Sequence, residues 1–312
     1  MGAMNIAQAR VIDPVLSTLA QSYKHAERVG MTLFPAVDVP ARGGNVIEFG
    51  RESFRLYSAR RAPGAPTLKV PFGYEGKPFV LVQDALSSQV PRELYDDARK
   101  VPGVDLGKRA TMSCMFNLTL SLEYEQARLA TNADNYSAAR KLALAGASMW
   151  TEPNSNPLSA IDEAKEAVRT STGVDPNRMV VSKPIFTALR NHPTIAERFK
   201  YTSADSITAA MLAAYFELDM LAVGKAKFLS GPDDNAVFED VWGNNAVLAY
   251  VPAAPLGYEE PSYGYTYTLK GHPFVEPAHW NNDNKSWEFG VTYERSPVLT
   301  GMASGFLFQN VV

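Results

Sequence analysis

Residues 46–82 constrain this chain most, because they are patterned as strands yet poorly suited to the interior of their own domain. In the return half, Leu68-Lys69-Val70-Pro71-Phe72-Gly73-Tyr74-Glu75, the apolar side chains all fall on even positions. That is the period-two signature of a strand with one apolar face. The outgoing half, Val46 to Tyr57, places Ile47 and Phe49 on one parity and Phe54 and Leu56 on the other, which predicts a bulge or bend near Gly50. Between the halves, Ala59-Arg60-Arg61-Ala62-Pro63-Gly64-Ala65-Pro66 is a turn-forming tip. Across 51–77, six basic residues (Arg51, Arg55, Arg60, Arg61, Lys69, Lys77) outnumber two acidic ones (Glu52, Glu75). Pro71 removes a ladder donor, so this is a poor interior strand. Such a hairpin either lies on the surface of its own domain or reaches out onto a neighbouring molecule.

The rest of the chain is that of a folded protein. Its 312 residues are 46% hydrophobic and 20% charged, enough for one large domain or two modest ones with real cores. A net charge of −3 argues against general affinity for nucleic acid, which shows as a strongly basic domain. Positive charge is instead local to the hairpin, which fits docking on an acidic surface of another copy. Cys114 is the one cysteine; it excludes a disulfide framework and a cysteine zinc cluster, and its apolar helical setting predicts a small buried thiol. No charged and apolar leader of signal-peptide type opens the chain, and no stretch approaches the apolar length of a membrane span. The glycosylation patterns at Asn117, Asn135 and Asn284 are then chance matches. The expectation is a soluble cytosolic product.

Local signals divide the chain. Asp13-Pro14 predicts a helix start, with Leu16, Leu19, Ala20 and Tyr23 at helical spacing up to Gly30. Leu33–Pro40 reads as extended. Residues 91–102 are charged and broken by Pro91 and Pro102. From about Asp105 to Asn132 the pattern is helical, roughly 40 Å long at 1.5 Å per residue. One stripe on it is Met115, Leu118, Leu122 and Leu129, and a second is Phe116, Leu120, Tyr124 and Ala127, so partners are expected on more than one side. From about 153 the texture becomes short alternating α and β units. A helix starts at Asn156-Pro157 and ends at Gly173, Met179–Val181 is a strand, and Ser182 caps a helix stopped near Pro193. A third helix carries Ile207, Met211, Leu212 and Tyr215, with strands near 221–223 and 246–251. The C-terminal part returns to strand: Tyr263, Tyr265 and Tyr267 alternate with small or polar residues, and Val275–Trp280 meets Trp287–Tyr293 across Asn281-Asn282-Asp283-Asn284.

With those parts in order, the chain resembles the major capsid proteins of tailed double-stranded DNA bacteriophages, which share the HK97-like fold. The phrases that carry the resemblance are Ile47-Glu48-Phe49-Gly50, Tyr57 with Arg60-Arg61-Ala62-Pro63-Gly64, Val241-Trp242-Gly243-Asn244 and Ser262-Tyr263-Gly264-Tyr265-Thr266-Tyr267. The resemblance implies an α+β fold: an N-terminal arm (1–45), an extended loop that is the basic β-hairpin (46–90), a peripheral domain with a spine helix (91–152), an α/β axial domain (153–251), peripheral return strands (252–296) and a C-terminal segment rejoining the axial domain (297–312). It implies a virion protein, assembled in the host bacterial cytoplasm, whose partners are copies of itself in hexamers and pentamers. Scaffold, portal and decoration proteins and packaged DNA by non-specific proximity complete the implied set, with no membrane. The chain has no room before its arm for the long scaffolding segment of many relatives, which implies a separate scaffold or a mature form. Some relatives cross-link a loop lysine to an asparagine of a neighbour; Lys69 and Lys77 are the loop lysines here, and no cross-link is expected.

Enzyme signatures are absent or incomplete. His272, Glu276 and His279 are the right types for zinc, but Pro273 and Pro277 make the stretch extended, so the three need not converge. His25 and His192 sit beside predicted helix ends, where a solvent-facing or dipole-facing role is ordinary. Asp233-Asp234-Asn235 lacks the alternating ligands and closing glutamate of a calcium loop. No Walker loop, G-x-G-x-x-G, G-x-S-x-G or H-E-x-x-H occurs. No catalytic residue, metal or cofactor is therefore expected, and the six basic hairpin residues are the expected intersubunit contacts. Two alternatives remain at this point: a nanocompartment shell of encapsulin type enclosing cargo protein, and a monomeric soluble enzyme or binding protein.

Overall fold

The computed structural model describes residues 12–48, 60, 67, 75–200, 207–231, 236–253 and 262–312. Helix α1 (Pro14–Gln21) starts where the Asp13 carboxylate accepts from the Val15 and Leu16 N–H groups at 2.9 and 3.0 Å. It stops at Gln21, not near Gly30. The N–H groups of Val29 and Gly30 are claimed by a side chain from another helix, so they cannot continue the helical ladder, and Gly30–Thr32 is a separate 3-10 turn. Strand β1 (Ala36–Val39) follows, then β2 (Gly43–Glu48), β3 (Glu75–Val80) and β4 (Val82–Pro91). Helix α2 (Arg92–Ala98) bridges to α3 (Leu106–Thr131), whose first turn is capped by Asp105.

The alternating region contains β5 (Lys141–Ala143), α4 (Pro157–Thr172), β6 (Arg178–Ser182), α5 (Lys183–Asn191), α6 (Pro193–Phe199), α7 (Ala209–Tyr215), β7 (Met220–Gly224), β8 (Lys227–Leu229), β9 (Phe238–Asp240) and β10 (Ala246–Ala249). Helix α4 ends on Gly173 at φ +75°, a left-handed cap that glycine adopts without steric cost. Helix α6 departs from expectation: Pro193 reads as a stop, yet it occupies the first turn of a new helix, where its missing N–H costs nothing. The chain ends with β11 (Gly264–Leu269), β12 (Phe274–Val275), β13 (His279–Asn281), β14 (Ser286–Leu299) and β15 (Gly305–Gln309).

Two sheets organise the molecule. The first has six strands in the path β1-β11-β14-β12, with β13 and β4 also paired to β14. Strand β14 is its axis: residues 286–295 pair with β4 on one side, while β13, β12 and β11 share the other. The second sheet has the order β5-β15-β10-β6-β7. Its inner strands are apolar on both faces. Met179, Val181, Leu248 and Phe308 pack under α4, α5 and α7, whereas Val180, Val247 and Leu307 face the opposite side; strands buried on both faces read as continuous apolar runs.

Helix α3 joins the two. Its first half presents Cys114, Met115, Leu118 and Leu122 to α1 and to Val90, Phe289 and Val291 of the first sheet. Its last turns present Ala127 and Ala130 to the back of the second sheet, where Leu33, Phe34, Tyr136, Trp242 and Tyr263 close the gap. The second stripe read from the sequence is only partly covered: Phe116 is 41% exposed, and the buried positions beside the first stripe are Glu123, Gln126, Ala127 and Ala130. The tyrosines of β11 depart in the other direction. Tyr265, Thr266, Tyr267 and Thr268 are all buried, because β11 lies between β1 and β14 and is covered on both faces. Residues 82–90, counted with the loop in the sequence, pair along their whole length with β14, as does Pro91.

Candidate assembly surface: the hairpin root and the polar ties behind it

The hairpin leaves the first sheet as a two-stranded ladder. Gly43 pairs with Val80 and the register runs to Glu48 opposite Glu75. Its root is fixed at three points. The Leu81 N–H donates to the Arg42 carbonyl at 2.8 Å, closing the neck. Phe79 stacks on Tyr267 with centroids 4.4 Å apart, an aromatic pair within a small cluster of Val39, Leu81, Tyr265 and Tyr267. Arg42 donates from Nε and Nη2 to the two oxygens of Glu294 at 2.6 and 3.0 Å, the bidentate geometry that makes such pairs directional. The Arg42 side chain is 72% exposed and that of Glu294 4%. Arg42's hydrogen bond holds the Glu294 carboxyl below its ordinary value against the opposing effect of burial, with Arg42's charge and then His272 adding to the shift.

Of the sequence-predicted contacts, Arg60 is described and exposed. Lys77 lies on β3, opposite Val46. Arg51, Arg55, Arg61 and Lys69 lie outside the described residues, as do the expected bend near Gly50, the Pro-Gly tip and Asp233-Asp234-Asn235. The histidines take separate partners. His279 Nε2 is 3.0 Å from Glu288, His272 Nδ1 accepts from the Glu294 N–H at 3.1 Å, and Glu276 accepts from the Thr292 hydroxyl at 3.2 Å. Burial lowers the His272 pKa. His192, read as a helix-end histidine in a solvent-facing or dipole-facing role, does lie at a helix end, where α5 meets α6, but is buried there, with Nε2 3.2 Å from both the Ser155 hydroxyl and the Glu152 carbonyl.

Behind the hairpin root, polar groups that the sequence did not single out tie the arm, α3 and both sheets together. Glu123, only 1% exposed, accepts three hydrogen bonds. Oε1 takes Trp242 Nε1–H at 2.7 Å and the Val29 N–H at 3.0 Å, and Oε2 takes the Gly30 N–H at 2.8 Å. Burial pushes this carboxyl above its ordinary value, while those three donors and the Arg28 charge pull the other way. One turn on, Gln126 donates to Thr266 Oγ1 at 2.8 Å, and that hydroxyl donates to the Phe34 carbonyl at 3.0 Å. At the helix end Tyr136 donates to the Ala130 carbonyl at 2.6 Å and receives the Tyr263 hydroxyl at 2.5 Å; burial raises both phenols. Arg295, buried under α3, donates to Asp84 at 2.9 Å and to the Leu118 carbonyl at 3.2 Å. Glu123, Gln126, Tyr136 and Arg295 each find a partner on a different element, so together they specify one mutual arrangement of arm, helix and sheets.

An arm, a rooted hairpin, a long helix shared by two sheets and an α/β unit with its own core define a protein of the shell-building HK97-like class. Comparison with known proteins agrees. The profile of the family described as phage major capsid protein E matches residues 111–295. The major capsid protein of Burkholderia phage BcepMu is 34% identical over 310 residues, 98% of each chain. A phage-related protein from Bordetella bronchiseptica RB50, solved by crystallography, is 43% identical with a TM-score of 0.84, covering 97% of this chain and 99% of that one. The capsid structure of cyanophage P-SCSP1u shares the fold at a TM-score of 0.53 and 8% identity, over 89% and 86% of the two chains. This chain belongs to the phage major capsid protein family. It is a structural protein of the phage shell, built from copies of itself. Among the described residues, no helix is long and apolar enough to cross a membrane.

Proposed function

We propose that this subunit tiles an icosahedral head around a double-stranded DNA genome, and that the basic hairpin is the element by which one copy holds the next. The observation that carries this reading is the hairpin root. Its neck is closed by a backbone hydrogen bond, an aromatic stack and a bidentate ion pair, while Gly43, Asn45, Pro78 and Val80 beyond it are exposed. A firmly anchored base under an exposed stem suits a lever that acts on a neighbour. Arg51, Arg55, Arg60, Arg61, Lys69 and Lys77 are the side chains assigned to that contact. The six charges set register and encounter more than affinity. The activity is assembly and no catalytic step is assigned to any residue. Shell growth in the host bacterial cytoplasm, with scaffold, portal and decoration proteins as partners, follows from the same reading.

Reversal of the tip, Arg60→Glu with Arg61→Glu, tests it. The expected result is a subunit with wild-type circular dichroism that forms no closed particles by electron microscopy. Normal particles from this variant would overturn the assignment. Extraction of wild-type particles made during infection should yield duplex DNA; a protein cargo without DNA would point to a compartment of encapsulin type.

A further inference from the structure

The hairpin neck holds a titratable group that its assembly role does not use. His272 lies between β11 and β12, and its side chain is 7% exposed. Nδ1 accepts the Glu294 N–H at 3.1 Å, so this nitrogen carries no proton and the ring is the neutral Nε2–H tautomer. The bond carries the β12–β14 ladder one step past Phe274 opposite Thr292, with a side chain in place of a strand. Nε2 lies 4.0 Å from Glu294 Oε1, the oxygen that also accepts from Arg42 Nη2 at 3.0 Å. One carboxylate therefore faces a permanent cation, Arg42, and a conditional one, His272.

Among the described residues, the charged groups that act on the ring are Glu294 and Arg42. The neighbouring elements otherwise bring neutral or engaged groups. Phe274 of β12 meets the imidazole edge to face with centroids 4.7 Å apart. Gln21 of α1 donates to the adjacent Gly271 carbonyl at 2.9 Å, Gln83 of β4 stands opposite Glu294, and Glu276 accepts from the Thr292 hydroxyl. Lys270, two residues upstream, is exposed. A proton on Nδ1 changes both contacts at once. The new N–H confronts the Glu294 N–H, two donors in one place, so that backbone bond is lost. The imidazolium then attracts Oε1 in competition with Arg42. Burial comes first in holding the ring below its ordinary 6.5; the Glu294 charge and the Thr292 carbonyl pull upward, and Arg42 adds to the depression. A depressed imidazole is neutral in the fold, so its contribution is whole above 6.5 and is lost as pH falls from there through the depressed value. The loss begins above the range in which the Glu294 carboxyl, held below 4.5, titrates.

We propose that His272 is a proton-operated latch on the hairpin neck: neutral, it holds the Glu294 N–H and leaves the carboxylate to Arg42; protonated, it releases that N–H and draws the carboxylate from Arg42. The latch acts within one subunit and does not depend on what the hairpin touches. Unassembled 15N-labelled subunits are titrated by NMR from about pH 7.5 to about pH 4.5, with the His272 ring signal assigned by its loss in His272→Asn. The expected midpoint lies below 6.5. It rises in Arg42→Gln, where the competing cation is gone, and falls further in Glu294→Gln. Over the same range, exchange protection of the Glu294 amide, corrected for intrinsic rate, should drop about three- to tenfold in wild type, the weight of one hydrogen bond. It should stay level in His272→Asn, whose side-chain oxygen accepts the same N–H without titrating. A midpoint at or above 6.5, a ring still neutral at the lower limit, a midpoint that neither variant moves, or level Glu294 protection in wild type overturns the proposal. If His272→Asn does not fold, wild-type protection and the Arg42→Gln midpoint decide.

Discussion

Replacing Glu123 tests whether the arm is held to the spine by the tie seen in the structure. Alanine at this position would leave the Val29, Gly30 and Trp242 donors without an acceptor in a site that is 1% exposed. A buried unsatisfied donor costs about 1–3 kcal/mol, and relief from burying the carboxylate offsets part of the total, so the expected net loss is about 3–5 kcal/mol. That is a large share of a domain stability of about 5–15 kcal/mol. Glutamine gives an intermediate result: its oxygen keeps the Val29 and Trp242 bonds, but its amide N–H group then confronts the Gly30 N–H, a loss of about 1–3 kcal/mol. Equilibrium urea unfolding of dilute, unassembled subunits gives the ranking, and Trp242 fluorescence reports locally because its indole bonds to the mutated side chain. An alanine variant within about 1 kcal/mol of wild type, or a glutamine variant worse than alanine, would refute the claim that this carboxylate anchors the arm.

Two further outcomes follow from the same geometry. Leu118→Ala and Leu122→Ala, both at buried positions against α1 and the first sheet, should each cost about 2–5 kcal/mol in urea unfolding; a loss below about 1 kcal/mol at both would show that α3 is wrongly phased. The hairpin root should loosen in acid. The Glu294 carboxyl is held below its ordinary 4.5, first by the Arg42 hydrogen bond, so its contribution is present above that value and is lost as pH falls through the depressed one. Hydrogen-exchange protection of the Leu81 amide, corrected for intrinsic rate, should fall in that acid range in wild type and be low throughout in Arg42→Gln. Constant protection down to pH about 3 in wild type would refute the coupling.

What was legible in the sequence is what neighbouring residues decide. Asp13-Pro14 and Asn156-Pro157 mark helix starts because side chain and ring act within one turn. Gly173 marks an end by its own backbone, and the 281–284 turn sets the β13–β14 register, Trp280 opposite Trp287. The alternation read at 49–57 and 68–74 lies outside the described residues; the described ladder pairs 43–48 with 75–80. Illegible were the residues whose role is set far away in the chain. Glu123 reads as the polar face of a helix until Val29, Gly30 and Trp242 arrive, the last from 119 positions downstream. Its phase held a usable hint, since it lies eight after Met115 and four before Ala127, both buried; a charged residue in a buried phase is one that must be paired. Arg295 and His192 were missed for the same reason, and α6 because one proline serves equally as a stop and as a start.

The placement of Glu294 and Arg295 ties the hairpin root to the body at two points. Successive side chains of a strand point to opposite faces, and these two neighbours on β14 use that alternation. Glu294 turns to Arg42 at the hairpin neck, while Arg295 turns to Asp84 and to the Leu118 carbonyl of α3. The root of the hairpin and the seat of the spine helix are thus one peptide unit apart. Helix α3 carries that position onward, because its far half is tied to the second sheet through Glu123–Trp242 and to the arm through Val29 and Gly30. One ion pair on each face of the same strand seats the hairpin neck, each with its β14 member buried (Glu294 and Arg295) and its partner, Arg42 or Asp84, reaching toward solvent. Pairing a buried charge in this way adds little net stability compared with apolar packing, but it selects one geometry among several. For a subunit whose work is to meet identical copies at fixed angles, that selection of geometry is the functional gain.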